Sequence, residues 1–356
     1  MTAAQLSVRA VSVPMRRALS TSASIIRQAP LLLIDLATDA GVTGRSYLFC
    51  YDVVGQQLMG QVLRDAAELI AGKRLDPQGV GALLARRWRL FGNAGPIAMA
   101  LSGIDIAMYD ALAQHTGQPL VRYLGGIPTR VDCYNSNGLG LIGPAKAAHE
   151  SLELVEEGYA AIKLRLGYPT LAEDLAVVRA VRDAIGNHVG LLVDYNQLLD
   201  RDEGLRRCAA LDTENIQWIE EPIVHDDYAG AAAIAARVTT AIQIGENFSG
   251  AQAVVAATSA GASDLLMFDL QRIGGVSGWL EAAAVTQALP LSSHLFPEVS
   301  VHLLALSPHR DLLEVVDWAA PVLLEPLAIR DGSAIAPDRP GTGIVWNEDA
   351  VQRYLV

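Results

Sequence analysis

A chain of 356 residues with 51% hydrophobic content is too apolar to be disordered, and its length suits one large domain with a smaller one attached. A formal net charge of −12 and a pI near 5.0 exclude nucleic acid and an anionic membrane surface as partners, because either needs a basic patch. Mean hydropathy is +0.27, yet the longest apolar runs, such as Leu31-Leu32-Leu33-Ile34, fall far short of a membrane span and read as buried strands.

The opening reads as three strands: residues 6–13, residues 31–37, and Tyr47-Leu48-Phe49 after a Gly41-Val42-Thr43-Gly44 turn. Between the first two, residues 16–28 carry Ser, Thr and Arg with Leu19, Ile25 and Ile26 but no periodicity, which reads as a functional loop. Helical stretches follow at 54–71, 77–87 and 96–114, and small residues in the last predict close packing. Gly125-Gly126-Ile127-Pro128 ends this unit, so residues 1–127 are expected to form an α+β domain. No apolar segment with a small-residue cleavage site follows Arg9, Arg16 and Arg17, and Cys50, Cys133 and Cys208 are scattered without a Cys-x-x-Cys. A cytoplasmic protein with reduced thiols and no secretory signal is expected.

From Val131 the pattern changes to strands alternating with helices. Leu171, Leu175, Val178, Val181 and Ile185 make an apolar stripe of helical period that Gly186-Asn187 stops. Short apolar runs end at Asp194, Glu220 and Glu246, each 26 residues after the last, and further runs end at Asp269, His294 and Glu314. Apolar strands separated by helices predict a parallel sheet covered on both faces, and seven or eight units predict closure into a TIM-like barrel over residues 128–320. The polar residues then gather at the C-terminal mouth, where such barrels carry catalysis. The tail, 321–356, has little helical pattern and is expected to pack back on the N-terminal domain.

Three carboxylates at one mouth repel one another unless a cation lies among them or some are protonated. A lone acid here would ordinarily cap the next helix. Three in step point instead to a hard ion such as Mg²⁺ held by Asp194, Glu220 and Glu246, with positions left for water and an anionic substrate. Lys163 and Arg165, two apart on the preceding strand, are expected to point together toward these acids. Asp269 and His294 lie on consecutive strands, and a carboxylate on one ring nitrogen makes the other a competent general base. Glu314, in an apolar setting, reads as a protonated acid that donates to a developing oxyanion, with an ordinary exposed Glu as the alternative. His115, His149, His188, His225, His302 and His309 lack such a setting and read as structural.

The chain resembles the enolase superfamily, specifically its mandelate racemase subgroup. The likeness runs through Ala29-Pro30-Leu31-Leu32-Leu33-Ile34-Asp35, Val193-Asp194-Tyr195-Asn196-Gln197, Trp218-Ile219-Glu220-Glu221-Pro222, Gly245-Glu246-Asn247, Gly274-Gly275-Val276-Ser277-Gly278-Trp279, Ser292-Ser293-His294-Leu295-Phe296 and Pro337-Asp338-Arg339-Pro340-Gly341. It implies an α/β fold, a modified (β/α)7β barrel under an N-terminal α+β capping domain, with residues 16–28 as the lid. It further implies Mg²⁺ on Asp194, Glu220 and Glu246, Lys163 on the substrate carboxylate, the Asp269–His294 dyad as base and Glu314 at the enolate oxygen. Ser136 and Asn196 match positions near substrate or metal; Phe49, Tyr51 and Leu295 suggest an apolar pocket. A small carboxylate is the implied partner, and a homo-oligomer, an octamer in many members, the implied assembly.

One departure bears on the reaction. A racemase of this family takes a second base from Lys-x-Lys on the second barrel strand, and this chain has Lys163-Leu164-Arg165. A guanidinium has a reference pKa of about 12.5–13.8, so neutralising it near pH 7 costs roughly 7–9 kcal/mol, against a lysine reference of about 10.4. Racemisation or epimerisation of a 2-hydroxy acid is the first reading from the resemblance. The alternatives are dehydration by His294–Asp269 alone, with Arg165 a fixed cation, and a barrel that binds metal and carboxylate without turnover.

Overall fold

The computed structural model describes residues 1–21, 24–286 and 289–356. Strands β1 (Ala3–Ser20), β2 (Ile25–Thr38) and β3 (Thr43–Phe49) form an antiparallel sheet backed by helices α1 (Val53–Ile70), α2 (Pro77–Arg87) and α3 (Gly95–His115). The unbroken apolar run of β2 follows from burial on both faces. Leu32, Ile34 and Leu36 join the core with α1 and α3, while Leu31 and Leu33 join the core shared with the barrel. Helix α3 is long and apolar enough to cross a membrane, but 67% of its most apolar window is buried inside the protein. Gly103 lets it lie against β2, since a Cβ there would meet Ile34 Cδ1 at 2.5 Å.

Residues 16–28, expected as a loop, are largely strand. β1 continues to Ser20, β2 begins at Ile25, and Leu19 pairs with Ile26, so the two strands run on as an antiparallel hairpin. The register slips between Pro14 and Leu19, which breaks the two-residue periodicity that marks a strand in sequence. Arg16 pairs with Glu157 and Asp317 at 2.8 and 3.2 Å, and Arg17 pairs with Glu153 and Glu157 at 3.1 and 3.2 Å. These arginines hold the hairpin against the barrel.

After a single turn, α4 (Leu120–Tyr123), the barrel begins. Its strands and helices alternate as β4 (Arg130–Asn135), α5 (Pro144–Glu156), β5 (Ala161–Arg165), α6 (Leu171–Ile185), β6 (Gly190–Asp194), α7 (Arg201–Leu211), β7 (Trp218–Glu220), α8 (Tyr228–Ala235), β8 (Ala241–Ile244), α9 (Ala251–Ala260), β9 (Leu265–Asp269), α10 (Leu270–Ile273) with α11 (Gly275–Ala283), β10 (Leu291–His294), α12 (Pro297–Leu304) and β11 (Leu312–Val315). Neighbouring strands pair in parallel from β4 to β10, and β11 returns to β4 with Glu314 opposite Tyr134. The segment leading into β11 bridges to β10, Arg310 beside Leu291. Ser292 and Ser293 complete that seam, their hydroxyls accepting from the amides of Leu312 and Glu314 at 3.2 and 3.1 Å. The tail pairs β12 (Ile329–Arg330) with β13 (Ser333–Ile335), lays β13 antiparallel on β4, and ends in α13 (Glu348–Tyr354) against β1.

Candidate active site

The barrel register brings the polar strand ends together. Asp194 lies opposite Glu220 across β6 and β7, Arg165 opposite Asp194 across β5 and β6, and His294 opposite Asp269 across β9 and β10. Glu246 follows β8 after Gly245, whose φ of 128° and close approach to Met267 O exclude a side chain. Oxygens of Asp194, Glu220 and Glu246 come within 4.8 Å of one another.

Lys163 is the counter-charge among them, its Nζ at 2.9 Å from Glu220, 3.0 Å from Glu314 and 3.4 Å from Asp194. One ammonium does not balance this crowd. Burial, opposed by Lys163 and reinforced by Asp194, Glu246 and Glu314, pushes Glu220 up to about 8, and burial with Glu246, Asp194 and Glu220 drives Glu221 well above the carboxylate range. Glu220 Oε2 is buried with no hydrogen-bond partner. Acidic oxygens clustered this closely, one of them orphaned, fit a hard divalent cation.

His294 is held by Asp269, with Nδ1 2.7 Å from Oδ2, while Asp269 Oδ1 accepts from the amides of Gln271 and Arg272 at the start of α10. The carboxylate is thereby fixed on both oxygens. The other ring nitrogen, Nε2, lies 3.2 Å from Glu246 and faces the acid cluster. Burial alone would lower His294, but Glu246, Glu314 and Asp269 outweigh it and raise it to about 10.

Glu314 differs from the protonated acid expected. Burial would raise it, but Lys163 and His294, with hydrogen bonds from Ser136 and the Leu295 amide, hold it below the usual carboxylate range. Lys163 Nζ pairs with it at 3.0 Å. Arg165 turns toward β4: Nη1 donates to Gly138 O at 2.7 Å and Ser136 O at 3.3 Å, and Nη2 to Ser136 O and Oγ at 3.3 and 3.2 Å. Ser136 thus touches both Arg165 and Glu314.

A cavity of about 220 Å³ opens on this cluster. One wall is polar, with Arg165, Asn196 and Gln197; the other is apolar, with Leu19, Ile26, Phe49, Leu295 and Trp318, and Tyr51 at its edge. Asn196 bonds to both oxygens of Asp194, at 2.7 and 2.9 Å. The sequence reading named Phe49, Tyr51, Leu295 and Asn196, and all four line the cavity. Ile25, grouped with the lid's apolar residues, is 58% exposed and does not line it. Trp318, Gln197 and Glu221 were missed. Trp318 follows Glu314 by four residues and packs on Phe49 with ring centroids 4.8 Å apart, a contact across domains that spacing could not reveal. Gln197 and Glu221 each adjoin a residue that was named, which was the available signal.

The sequence matches the family model described as mandelate racemase / muconate lactonizing enzyme, N-terminal domain, over residues 3–125, and the enolase C-terminal domain-like model over residues 146–350. It is 32% identical over 332 residues to L-talarate/galactarate dehydratase of Salmonella typhimurium, covering 91% of this chain and 83% of that protein. The crystal structure of an enolase from alpha pretobacterium bal199 with bound Mg matches with a TM-score of 0.97 at 41% identity, covering 100% of this chain and 99% of that one. A Bradyrhizobium enolase complexed with magnesium and mandelic acid matches with a TM-score of 0.94 at 39% identity, covering 100% and 98%. Further relatives are named cycloisomerases and a dipeptide epimerase, and the chain is an enzyme of isomerase or lyase type. With both domains matched in sequence and fold, it belongs to the mandelate racemase and muconate lactonizing enzyme group of the enolase superfamily.

Proposed function

We propose that this enzyme abstracts the α-proton of a carboxylate that carries hydroxyls on both its α-carbon and the adjoining carbon, with His294 as its single base, and that the hydroxyl of the adjoining carbon then leaves as water, so that the resulting enol gives a 2-keto acid. The observation that carries the single-base reading is Arg165. Its guanidinium is buried and committed to Ser136 and Gly138 through four contacts of 2.7–3.3 Å, so it serves as a fixed cation. A base on that face would have to lose a proton from a group whose hydrogens are bonded to carbonyl oxygens.

Asp194, Glu220 and Glu246 would hold Mg²⁺, which would supply positive charge against an enolate and offset the carboxylate charge that raises His294. Lys163 adds a cation beside the substrate carboxylate, and its transfer to that carboxylate removes the main charge holding Glu314 ionised. Glu314, having taken up a proton from solvent as Lys163 moves away, then donates to the enolate oxygen. Asp269 keeps His294 Nε2 turned to the α-carbon; the proton taken there leaves again with the departing hydroxide as water.

Racemisation or epimerisation is the second reading, favoured by the apolar wall of Leu19, Ile26, Phe49 and Trp318, which suits an aryl or alkyl group. Mandelic acid in the Bradyrhizobium enolase is consistent with such a group. Following hydroxy acids and sugar acids in D₂O with Mg²⁺ separates the two. Keto-acid formation supports elimination, and loss of optical rotation without keto acid overturns it. A cytoplasmic homo-oligomer is the setting proposed, and light scattering on the purified protein tests its assembly.

A further inference from the structure

Asp269 fixes His294, and Asp269 is itself fixed by α10, where the amides of Gln271 and Arg272 donate to Oδ1 at 2.8 and 3.0 Å. Helix α10 is a single turn of four residues that stops at Gly274, with φ of 110°. One turn does not hold its own shape in water, so its position comes from what it packs against.

The same two residues turn their side chains to the capping domain. Gln271, fully buried, accepts from the Phe49 amide on Oε1 at 3.2 Å. Arg272 donates through Nη2 to the Tyr51 hydroxyl at 2.8 Å, with its guanidinium carbon 5.3 Å from the centre of that ring. Tyr51 has φ of 63°, a left-handed backbone that a tyrosine keeps only where its surroundings impose it. Helix α11 is anchored the same way, since Ser277 donates from N and Oγ to Asp105 of α3 at 3.0 and 2.6 Å. His294 has a matching tie. The Tyr47 hydroxyl donates at 2.7 Å to Glu298, in the first turn of α12 just past His294, and the Tyr47 ring packs on Phe296 with centroids 5.1 Å apart. Tyr47 and Phe49 alternate on one face of β3, with Tyr51 just beyond. One strand of the capping domain therefore grips the segments that follow both members of the dyad.

We infer that β3 is the template for the dyad: Tyr51 through Arg272, and Tyr47 through Glu298, are positioning residues that set the alignment of His294 on Asp269 from the capping domain. The cap that lines the cavity with Phe49 and Tyr51 thereby also orients the base. The consequence for proton transfer rests on His294 being the base, as proposed above; the alignment itself does not.

The test reads the dyad without a substrate, in the intact chain with Mg²⁺. Amide exchange by mass spectrometry follows Gln271 and Arg272, and NMR of isotopically labelled histidine follows the Nδ1–H of His294, assigned by its absence in His294→Asn. Tyr51→Phe keeps the ring and removes the acceptor. It should speed exchange of the α10 amides at least about tenfold, the worth of a hydrogen bond to a charged group, and shift the His294 signal, while exchange in α6 stays within about twofold. Arg272→Met should do the same, and Arg272→Lys should restore most of the protection. Tyr51→Phe combined with Arg272→Met should add nothing to Arg272→Met alone, because the two residues share one contact. Tyr47→Phe should shift the His294 signal while leaving the α10 amides protected. A His294 signal unchanged in either tyrosine variant overturns the inference; so does exchange that rises equally throughout the protein, which marks a structural contact only. If the dyad responds as expected but His294→Asn still exchanges the α-proton, the proposed base fails and the positioning stands.

Discussion

Arg165→Lys separates a fixed cation from a base. The native guanidinium makes four contacts of 2.7–3.3 Å to Ser136 and Gly138. An amine keeps the charge but gathers its donors on one atom, so two or three of these contacts are lost, at about 1 kcal/mol each or about 2–3 kcal/mol in all. Against that loss, neutralising the side chain near pH 7 falls from roughly 7–9 kcal/mol for a guanidinium at its reference pKa to about 5 kcal/mol for an amine. The gain of about 3–4 kcal/mol corresponds to two to three orders of magnitude in the population of a free base on the face opposite His294. The assay is proton NMR and chiral chromatography of a single enantiomer of a turned-over acid in D₂O. The wild type should exchange or eliminate without inverting, and Arg165→Lys should show inversion at least about a hundredfold above the wild-type level while losing several degrees of thermal stability. Equal inversion in both proteins, with the variant folded, refutes the reasoning.

Two further outcomes follow from the same geometry. Glu246→Gln removes one oxygen anion from the cluster, so Mg²⁺ affinity by calorimetry should fall at least about tenfold, and chelation of the wild type should abolish α-proton exchange and lower its melting temperature. His302, buried between α4 and the tail, accepts from the Val121 amide on Nδ1 and faces Thr342 O with Nε2. Burial, partly offset by the Thr342 contact, lowers His302 to about 4. Its unfolded form binds a proton first as pH falls through about 6.5, so the unfolded state gains. About 2 kcal/mol of stability should disappear between pH 7 and pH 5. Denaturant titrations should show this slope reduced in His302→Asn and unchanged in a His309→Asn control.

The strand ends were readable because β6, β7 and β9 are short apolar runs that stop at one acid, and helix and strand lengths repeat closely enough to put Asp194, Glu220 and Glu246 in step. The hairpin was not. Its bulge between Pro14 and Leu19 breaks the alternation, and Arg16 and Arg17, which read as residues of a functional loop, find their partners on α5, beyond it and past β11, some 136–301 positions away. The charge state of Glu314 was equally hidden. An apolar surrounding predicts a neutral carboxyl, and Lys163 at 3.0 Å, joined by His294 and hydrogen bonds from Ser136 and the Leu295 amide, reverses it. Arg165 could be seen to break the Lys-x-Lys pattern, but the carbonyls of Ser136 and Gly138 that hold it come from the neighbouring strand's loop.

The most direct measurement is α-proton exchange by His294→Asn with Mg²⁺ in D₂O, alongside calorimetric Mg²⁺ titration of the same protein. Asn keeps a donor toward Asp269 but offers no basic nitrogen to the cavity. Exchange and product formation are expected to fall by at least about a thousandfold for the enantiomer whose α-proton faces His294, while Mg²⁺ still binds. Exchange that persists at a wild-type rate in the variant, from that enantiomer, contradicts the claim that His294 is the single base.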